Sequence, residues 1–392
     1  MNLKCILTIG LVATVPSQSR GQNVHGVVFV DKNADGIQQR GEPGLRNVAV
    51  SNQDAVVTTD SLGRFDLPRG PNKIIFVSEP DGFRSVGMFW RAVGDSLTTL
   101  SFALQAAPVS RTFTFIDASD THLAPASLPQ TRRFRTIVDS LKPDFVLVAG
   151  DLVRDALRVP EAEARSYYDL AAAEFKAFSR PMWLVPGNHE NFGIETALSH
   201  VDPANPLFGR AMYHKYFGPD YYSFNRGGVH FVGLNSVDIS GTSYYGHVDS
   251  VQLAWLARDL GQLPPNTPVV TFNHIPLVSA LEGFGGYTDS LPAPTLITVD
   301  GKTSFRHLVS NAHEVLTVLR TRRHVLAIGA HTHVGESVML YSEGVQTRFE
   351  QSPAVVRPSG GPPLIFPSGV MLYTVRDGKV GEREFVPIVV RR

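Results

Sequence analysis

The chain has 392 residues, and its 36 lysines and arginines balance its 36 aspartates and glutamates. This balance argues against a polybasic nucleic-acid binder, and a hydrophobic fraction of 43% argues against a disordered tail. The length exceeds that of one typical domain, so we expect two folded units with sizeable cores. Net charge identifies no partner, and no nucleic-acid binding is evident.

The first 22 residues resemble a signal peptide. Lys4 precedes an apolar run from Cys5 to Val15, and the small residues Ser17 and Ser19 are placed for cleavage. A membrane span needs about 20 apolar residues, so this run is too short, and no later stretch qualifies. We therefore expect residues 1–22 to direct bacterial export, leaving a secreted or periplasmic protein without a membrane span. An ordinary N-terminal strand is the alternative.

Cys5 is the only cysteine and would be removed with the signal peptide. The mature protein would then contain neither disulfides nor thiolate metal ligands. Any metal must therefore be bound by oxygen and nitrogen donors.

Residues 23–107 consist of short apolar runs that glycine, proline and aspartate interrupt, without a helical period. This pattern predicts a small all-β sandwich of the immunoglobulin-like or transthyretin-like kind. The predicted strands include Gly26–Val30, Val48–Ser51, Arg64–Leu67, Lys73–Val77 and Thr98–Leu104.

This first region contains a candidate calcium loop. The oxygen-bearing positions of an EF-hand loop fall here on Asp31, Asn33, Asp35, the backbone carbonyl of Ile37, and Glu42. No helices flank the loop, which resembles instead the calcium loops of β-sandwich modules in bacterial surface proteins, of the SdrD B kind. A structural Ca²⁺ and a turn without metal are both open.

From residue 110 onward, apolar runs alternate with amphipathic segments, which is typical of a layered α/β domain. One predicted helix carries Phe134, Ile137, Val138 and Leu141 and ends before Pro143; a second opens at Pro160 and carries Tyr167, Ala171, Phe175 and Phe178; a third carries Leu253, Leu256, Ala257 and Leu260. The predicted hairpin pairs Tyr222–Phe224 with Val229–Leu234, and the last strands are Val370–Val375 and Glu384–Val390.

Five apolar runs of this second region are each followed by residues of metal-ligand type. These residues are Asp120 and His122, Asp151, Asn188 with His189 and Glu190, His274, and finally His331 and His333. Functional groups of α/β sheets gather just beyond the carboxyl ends of buried strands. The sequence therefore predicts that these side chains meet at one rim.

The donor types suit a pair of metal ions. Two cations about 3.5–4 Å apart need neutral imidazoles, carboxylates that offset charge, and one carboxylate that bridges them. His331 and His333 alternate along an extended segment and so point to one side. The glycines before Asp151 and Asn188 fit tight turns close to the metals.

In this order the motifs resemble those of the calcineurin-like metallophosphoesterases. The resemblance covers residues 110–335, with residues 336–392 completing the sheets, and implies a four-layer α/β/β/α sandwich. It implies two divalent or trivalent transition-metal ions, which mixed nitrogen and oxygen ligands allow to be manganese, iron, zinc or cobalt. One would bind Asp120, His122, Asp151 and His333, and the other Asp151, Asn188, His274 and His331.

The resemblance also implies the chemistry. His189 would be the catalytic histidine, Glu190 could orient it, and hydroxide held by the metals would attack a phosphate ester. Monoesters and diesters, either small molecules or parts of the cell envelope, are both open as substrates. The alternative from another class is a cell-surface binding or adhesion protein with an inactive phosphoesterase domain.

Two positions depart from the family pattern. Ala330 stands directly before His331, where glycine is frequent, so we expect that turn to shift by one residue. Arg154 occupies the position at which purple acid phosphatases carry a tyrosine ligand, so a tyrosinate-bound ferric site is not expected. Tyr244, Tyr245 and the segment Glu282–Phe284 are candidates for the wall of the substrate pocket or for solvated loops. The remaining histidines are interpreted as structural, and these are His200, His214, His230, His247, His307, His313 and His324.

Overall fold

A computed structural model describes residues 23–390 except 71, 95, 282–285, 287–293, 343–344 and 358–365. The predicted signal peptide with Cys5, and the segment Glu282–Phe284, lie outside the described residues. Export therefore remains a prediction. Among the residues described, no helix has the length and apolar character needed to span a membrane.

The N-terminal region is a sandwich of two four-stranded sheets. Its strands are β1 (Val24–Val30), β2 (Ala49–Ser51), β3 (Val56–Thr58), β4 (Arg64–Leu67), β5 (Ile74–Val77), β6 (Phe83–Ser85), β7 (Trp90–Ala92) and β8 (Thr99–Ala106). One sheet has the order β4-β1-β8-β6 and the other β3-β2-β5-β7. The pairs are antiparallel, apart from β1 with β8, which run parallel.

All five strands predicted in this region are present, with ends shifted by at most two residues. The strands β3, β6 and β7 were not predicted, because segments of three residues are too short to show an alternating pattern. Phe65, Val77 and Phe102 pack in the core between the two sheets.

The second region contains two larger sheets. Its strands are β9 (Thr112–Ala118), β10 (Phe145–Ala149), β11 (Met182–Val185), β12 (Tyr222–Arg226), β13 (Val229–Gly233), β14 (Val237–Ser240), β15 (Ser243–Gly246), β16 (Pro268–Phe272), β17 (Leu296–Val299), β18 (Lys302–Phe305), β19 (Arg323–Gly329), β20 (Glu336–Ser342), β21 (Val345–Gln351), β22 (Gly369–Arg376) and β23 (Lys379–Pro387). Its helices are α1 (Leu128–Leu141), α2 (Glu161–Lys176), α3 (Thr196–Ser199), α4 (Arg210–Phe217), α5 (Ser250–Gly261) and α6 (Ala312–Leu319), with a 3-10 turn at Pro125–Ser127.

The two sheets pack face to face, and helices cover their outer faces. One sheet has the order β11-β10-β9-β22-β23 and the other β12-β13-β16-β19-β21-β20. Along β9, Phe115 faces the core between the sheets and Ile116 the core beneath the helices, as the two-residue period of a strand requires. Phe115 and Phe231 meet edge to face across the sheets, with ring centroids 5.6 Å apart. These layers are the α/β/β/α architecture that the resemblance implied.

The predicted helices are present, but each of the three differs from expectation at one position of its buried face. In α1 the last residue, Leu141, is 40% exposed. In α2 the buried residue is Tyr168 rather than Tyr167, whose hydroxyl donates to Glu163 at 2.6 Å. In α5 the buried face carries Trp255, and the expected Ala257 is exposed. The errors in α2 and α5 arose because neighbouring apolar residues leave it ambiguous which side of the helix is buried.

The N-terminal sandwich packs firmly against the second region. Phe76 and Trp90 lie in the same buried cluster as Trp255 of α5, and the rings of Phe76 and Trp255 are 6.3 Å apart. Gln53 is fully buried and donates from Nε2 to Asp220 Oδ1 at 2.7 Å. The sheet that carries Phe76 and Trp90 therefore shares a core with the second region, while the interior of the sandwich forms a core of its own.

Candidate metal centre

The expected ligands follow the carboxyl ends of neighbouring parallel strands. Asp120, Asp151 and Asn188 come after β9, β10 and β11, which are adjacent in one sheet. His274 and His331 come after β16 and β19, which are adjacent in the other. Because the two sheets face each other, the five loops meet at one rim, as predicted.

The backbone of this rim is unusual. Left-handed φ angles occur at Asp120 (52°), His122 (39°), Asp151 (51°), His331 (71°) and His333 (58°). Such angles are uncommon outside glycine and cost of order 1–3 kcal/mol each. Hydrogen bonds between loops hold them in place: the N–H groups of Asp120 and His122 donate to the carbonyls of Gly150 and Asp151, both at 3.0 Å.

Three side chains form a first donor cluster. His333 Nε2 lies 3.0 Å from Asp120 Oδ1. His122 Nε2 lies 3.7 Å from that same oxygen and 3.8 Å from Asp151 Oδ2. Asp151 therefore borders this cluster.

A second cluster lies on the other side of Asp151. His274 Nε2 lies 3.3 Å from Asp151 Oδ1, 3.1 Å from Asn188 Oδ1 and 3.1 Å from His331 Nδ1. The structure thus brings all seven expected ligands together, with Asp151 between the two groups.

The donor atoms fit two cations. Ligand atoms about 2.0–2.2 Å from one metal ion lie about 3 Å apart at right angles and about 3.5 Å apart at tetrahedral angles. The separations are 3.1–3.3 Å in the second cluster and 3.0–3.8 Å around the first. The buried atoms Asp120 Oδ2 and His122 Nε2 have no hydrogen-bond partner among the described residues. Burying a polar atom without a partner costs about 1–3 kcal/mol, and a cation between the donors would remove that cost.

The charge distribution of the rim also favours a cation. Burial alone would lower the pKa of His274, but Asp151 and Asp120 raise it to about 9. Burial would raise the pKa of Asp151, but the His189 and His274 imidazoles bring it well below its usual range. Protons and metal ions compete for such donor atoms, so a rim that attracts protons also attracts metals.

The two glycines of the rim leave no space for a side chain. A Cβ atom on Gly150, whose φ is +85°, would lie 2.6 Å from His274 Nδ1. A Cβ atom on Gly187 would collide with the carboxylate of Asp151. Ala330, by contrast, fits without a positive φ, and its N–H donates to the His274 carbonyl at 2.8 Å. The left-handed turn then falls on His331 itself.

His189 lies at the edge of the first cluster and is partly exposed. Its Nδ1 donates to the carbonyl oxygen of Arg154 at 2.6 Å, which directs Nε2 towards the rim. Nε2 lies 3.7 Å from Asp151 Oδ2. Its donor atoms also lie within 4.8 Å of those of His122 and Asp151.

The expected role of Glu190 as the group that orients His189 is wrong. The Glu190 carboxylate is buried and accepts the N–H groups of Gly187 at 2.6 Å, Asp151 at 3.1 Å and Val153 at 2.9 Å. It therefore ties together the loops that carry Asp151 and Asn188. The Arg154 carbonyl takes the orienting role, which a sequence cannot reveal because any residue has a carbonyl.

His307 was interpreted as structural, yet it touches the centre. Its Nδ1 lies 2.6 Å from His331 Nε2, and the two rings stack at 26°. Burial is the main cause that lowers the pKa of His307 to about 4, so its ring is neutral. Its Nδ1 can therefore accept a hydrogen bond from the Nε2–H of His331. This contact fixes which His331 nitrogen faces His274. His307 comes after β18 and outside any motif, so no sequence pattern pointed to it.

A cleft of about 470 Å³ opens over the rim. Tyr244 forms part of its wall, with its ring 5.9 Å from that of His331. Tyr245 instead stacks on His247. Asp155 also lines the cleft and is paired with Arg158 at 3.1 Å.

The candidate calcium loop satisfies its own carboxylates. Asp31 accepts the N–H groups of Asn33, Ala34 and Gly36, while Glu42 accepts those of Lys32 and Gln39. Asp35 accepts the N–H of Ile37, whose side chain is 66% exposed. Calcium at this loop remains a prediction.

The other histidines away from the rim have ordinary partners or are exposed. His230 pairs with Asp259 at 2.8 Å, and His214 with Asp220 at 3.1 Å. His324 Nε2 lies 3.1 Å from Thr271 Oγ1. These contacts agree with a structural interpretation.

Comparison with known proteins identifies the family. Residues 113–335, more than half of the chain, match the calcineurin-like phosphoesterase family. No curated protein matches the chain. Similar solved structures include a dimetal phosphatase from Danio rerio, 17% identical, which covers 71% of this chain and 99% of its own with a TM-score of 0.45.

Two further structures are more distant. GAP50, the anchor in the inner membrane complex of Plasmodium, is 12% identical, with 71% of this chain and 86% of that chain covered and a TM-score of 0.41. The phosphopantetheinyl hydrolase of Mycobacterium tuberculosis is 17% identical, with 65% and 98% covered and a TM-score of 0.35. None of these likenesses assigns a substrate. The match over residues 113–335 shows that the chain belongs to the calcineurin-like phosphoesterase family.

Proposed function

We propose that this protein hydrolyses phosphate esters at a centre of two transition-metal ions, manganese, iron, zinc or cobalt. The observation that carries the proposal is the pair of donor clusters beneath an open cleft, one of which contains Asp151 while the other borders it. The first ion would bind Asp120, His122, Asp151 and His333. The second would bind Asp151, Asn188, His274 and His331.

The side chains divide the work. When bound, the cations activate water and offset charge on the phosphoryl oxygens. His189 faces the cleft through Nε2, because Nδ1 is bonded to the Arg154 carbonyl. In its protonated form it would give the Nε2 proton to the leaving ester oxygen, a step that contributes roughly 10²- to 10⁴-fold. His307 and Glu190 hold the ligand loops.

The cellular setting is part of the proposal. The apolar run before Pro16 supports export, so the substrate would be a small-molecule or cell-envelope phosphate ester. The first region would be a module of the bacterial surface-protein kind, and its packing against Trp255 supports a structural role for it.

The test uses the mature protein with p-nitrophenyl phosphate and bis-p-nitrophenyl phosphate, with and without added manganese. We expect metal-dependent turnover of at least one substrate and two transition-metal ions per chain by elemental analysis. His189→Ala should lower kcat by about 10²- to 10⁴-fold while both metals stay bound. His313→Ala, at an exposed position on α6, is the matched control.

Two results would contradict the proposal. Absence of metal-dependent turnover with both substrates would favour a binding protein with an inactive phosphoesterase domain. One metal ion per chain, or none, after growth with all four metals would mean that the ligands are assigned wrongly.

A further inference from the structure

Two arginines line the cleft without an anionic partner. Arg154 is exposed and Arg357 half-buried, and both border the cleft over the metal rim. Neither guanidinium has an ion pair or hydrogen bond among the described residues. Asp155 lies close by in the same wall and pairs with Arg158 at 3.1 Å, and Arg158 also pairs with Glu195 at 2.7 Å. Around the cleft, three arginines thus stand against two acids. The cleft therefore holds uncompensated positive charge.

The backbone under both arginines is tied to the ligand loops. The Arg154 N–H donates to the Leu123 carbonyl at 3.2 Å, and its own carbonyl accepts from His189. The residue before Arg357, Val356, donates its N–H to the Asp120 carbonyl at 3.0 Å. Their Cα atoms thus have fixed positions relative to the rim, while the side chains can close on a ligand.

Charge counting separates these arginines from the reacting group. Two divalent cations would carry four positive charges, of which Asp120 and Asp151 offset two. One phosphoryl dianion in the reacting position, together with the attacking hydroxide, would offset at least the remaining two. Arg154 and Arg357 then add two further positive charges in a cleft large enough for more than one phosphoryl group. Planar guanidinium groups match phosphate oxygens in a bidentate manner.

We propose that the preferred substrate carries a second phosphate group beside the scissile phosphate ester, and that Arg154 and Arg357 bind this second group. The proposal rests on the proposed function of the same site. The amino end of α1 adds to it, because Ser127 also lines the cleft and the positive end of a helix dipole favours an anion. The natural substrate would then be a bisphosphate rather than a simple monoester.

The experiment compares substrates that differ only in the second phosphate. Phosphate release is measured for adenosine 5′-monophosphate against adenosine 3′,5′-bisphosphate, and for fructose 6-phosphate against fructose 1,6-bisphosphate, with p-nitrophenyl phosphate as the reference. We expect the wild-type kcat/KM to be at least about tenfold higher for one bisphosphate than for its partner. Arg154→Gln and Arg357→Gln should each lower that ratio by about 10- to 100-fold. Arg133→Gln, on the exposed face of α1, should keep it.

The outcomes are distinct. Equal kcat/KM within both wild-type pairs would overturn the proposal, as would variants that slow both members of a pair equally, because the arginines would then bind the reacting phosphate. Elemental analysis of the variants should still find two metals, since neither arginine is a ligand. If p-nitrophenyl phosphate, bis-p-nitrophenyl phosphate and all four other substrates fail with metal present, the proposed function falls and takes this inference with it. Turnover of bis-p-nitrophenyl phosphate alone would overturn this inference and leave the proposed function standing.

Discussion

The metal rim and the Asp31–Glu42 loop are both rich in carboxylates that follow a strand, yet they differ in how their donors are satisfied. In the loop, each carboxylate oxygen of Asp31 and Glu42 accepts a backbone N–H. In the rim, Asp120 Oδ2 and His122 Nε2 have no partner among the residues described. A short loop has enough amides to satisfy its own acids, whereas a rim built from five loops does not.

The rim and the loop also differ in which of their residues carry strained backbone angles. Five of the seven rim ligands have left-handed φ angles. In the loop the positive angles belong to Ala34 (61°), Gly36 (79°) and Gly41 (92°), none of which offers a side-chain donor. Strain that falls on the functional residues themselves is expected where a bound ion repays it. The comparison teaches that an acidic composition predicts a turn as readily as a metal site. What separates the two is whether the ligand atoms have hydrogen-bond partners within the protein.

The largest effect is expected from a change at Asp151, which lies between the two donor clusters. Asp151→Asn keeps the shape of the side chain but removes the charge between the clusters, so we expect loss of at least one metal. A metal ion contributes several kcal/mol to the transition state, so kcat/KM should fall by at least about 10³-fold. Elemental analysis and p-nitrophenyl phosphate turnover check this. If the variant kept two metals and full activity, the rim would not depend on the charge of Asp151, and the contrast between the rim and the loop would be wrong.

A smaller effect is expected from His307, which supports the rim without belonging to either cluster. His307→Ala removes the partner of His331 Nε2, so the imidazole loses its fixed orientation. Loss of such a supporting contact typically costs 10- to 100-fold in metal affinity. Titration of metal into the metal-free protein measures it, and excess metal should restore turnover.

His313→Ala provides the control for that experiment, because it removes an exposed histidine in the same part of the chain. Equal metal affinity of His307→Ala and the wild type would show that packing alone orients His331.

Local patterns in the sequence predicted a layered α/β domain and the seven candidate ligands, whereas the four-layer arrangement was implied by the resemblance to the family. Five apolar runs ended in donor residues, and parallel strands necessarily place such ends together. His307 and the Arg154 carbonyl could not be found in this way. His307 reaches His331 across 24 residues of chain, and a carbonyl carries no residue identity. Contacts that depend on three-dimensional packing have no periodic signal.

Glu190 also shows that the contacts of a side chain cannot be predicted from local sequence. The sequence singled out the acid beside His189, but the chemistry of this acid depends on which groups it meets. Burial is the main cause that raises the pKa of Glu190 to about 8, and its oxygens meet backbone amides rather than the imidazole. Residue type and position were predictable, and the partner was not.

The loop side of the comparison is tested by Asp31→Asn. Both carboxylate oxygens of Asp31 accept a backbone N–H, and asparagine replaces one of them by an amide nitrogen, which cannot accept. The free energy of unfolding should therefore fall by about 1–3 kcal/mol. Because the loop satisfies its own acids, we expect the same loss in calcium and in chelator, with unchanged phosphatase activity. Denaturant unfolding under both conditions measures it. A loss seen only with calcium would place an ion in the loop.

The smallest effect is expected from Gly36→Ala in the loop, and Gly187→Ala in the rim gives its contrast. Gly36 has a φ of +79° and open space around the position of a Cβ atom, so alanine costs only backbone strain of about 1–2 kcal/mol. Gly187 has no positive φ, but its added Cβ would displace Asp151. Gly36→Ala should therefore lower stability slightly and leave metal content unchanged, whereas Gly187→Ala should lower metal content. If both variants changed stability alone, the close approach of Gly187 to Asp151 would have no part in shaping the centre.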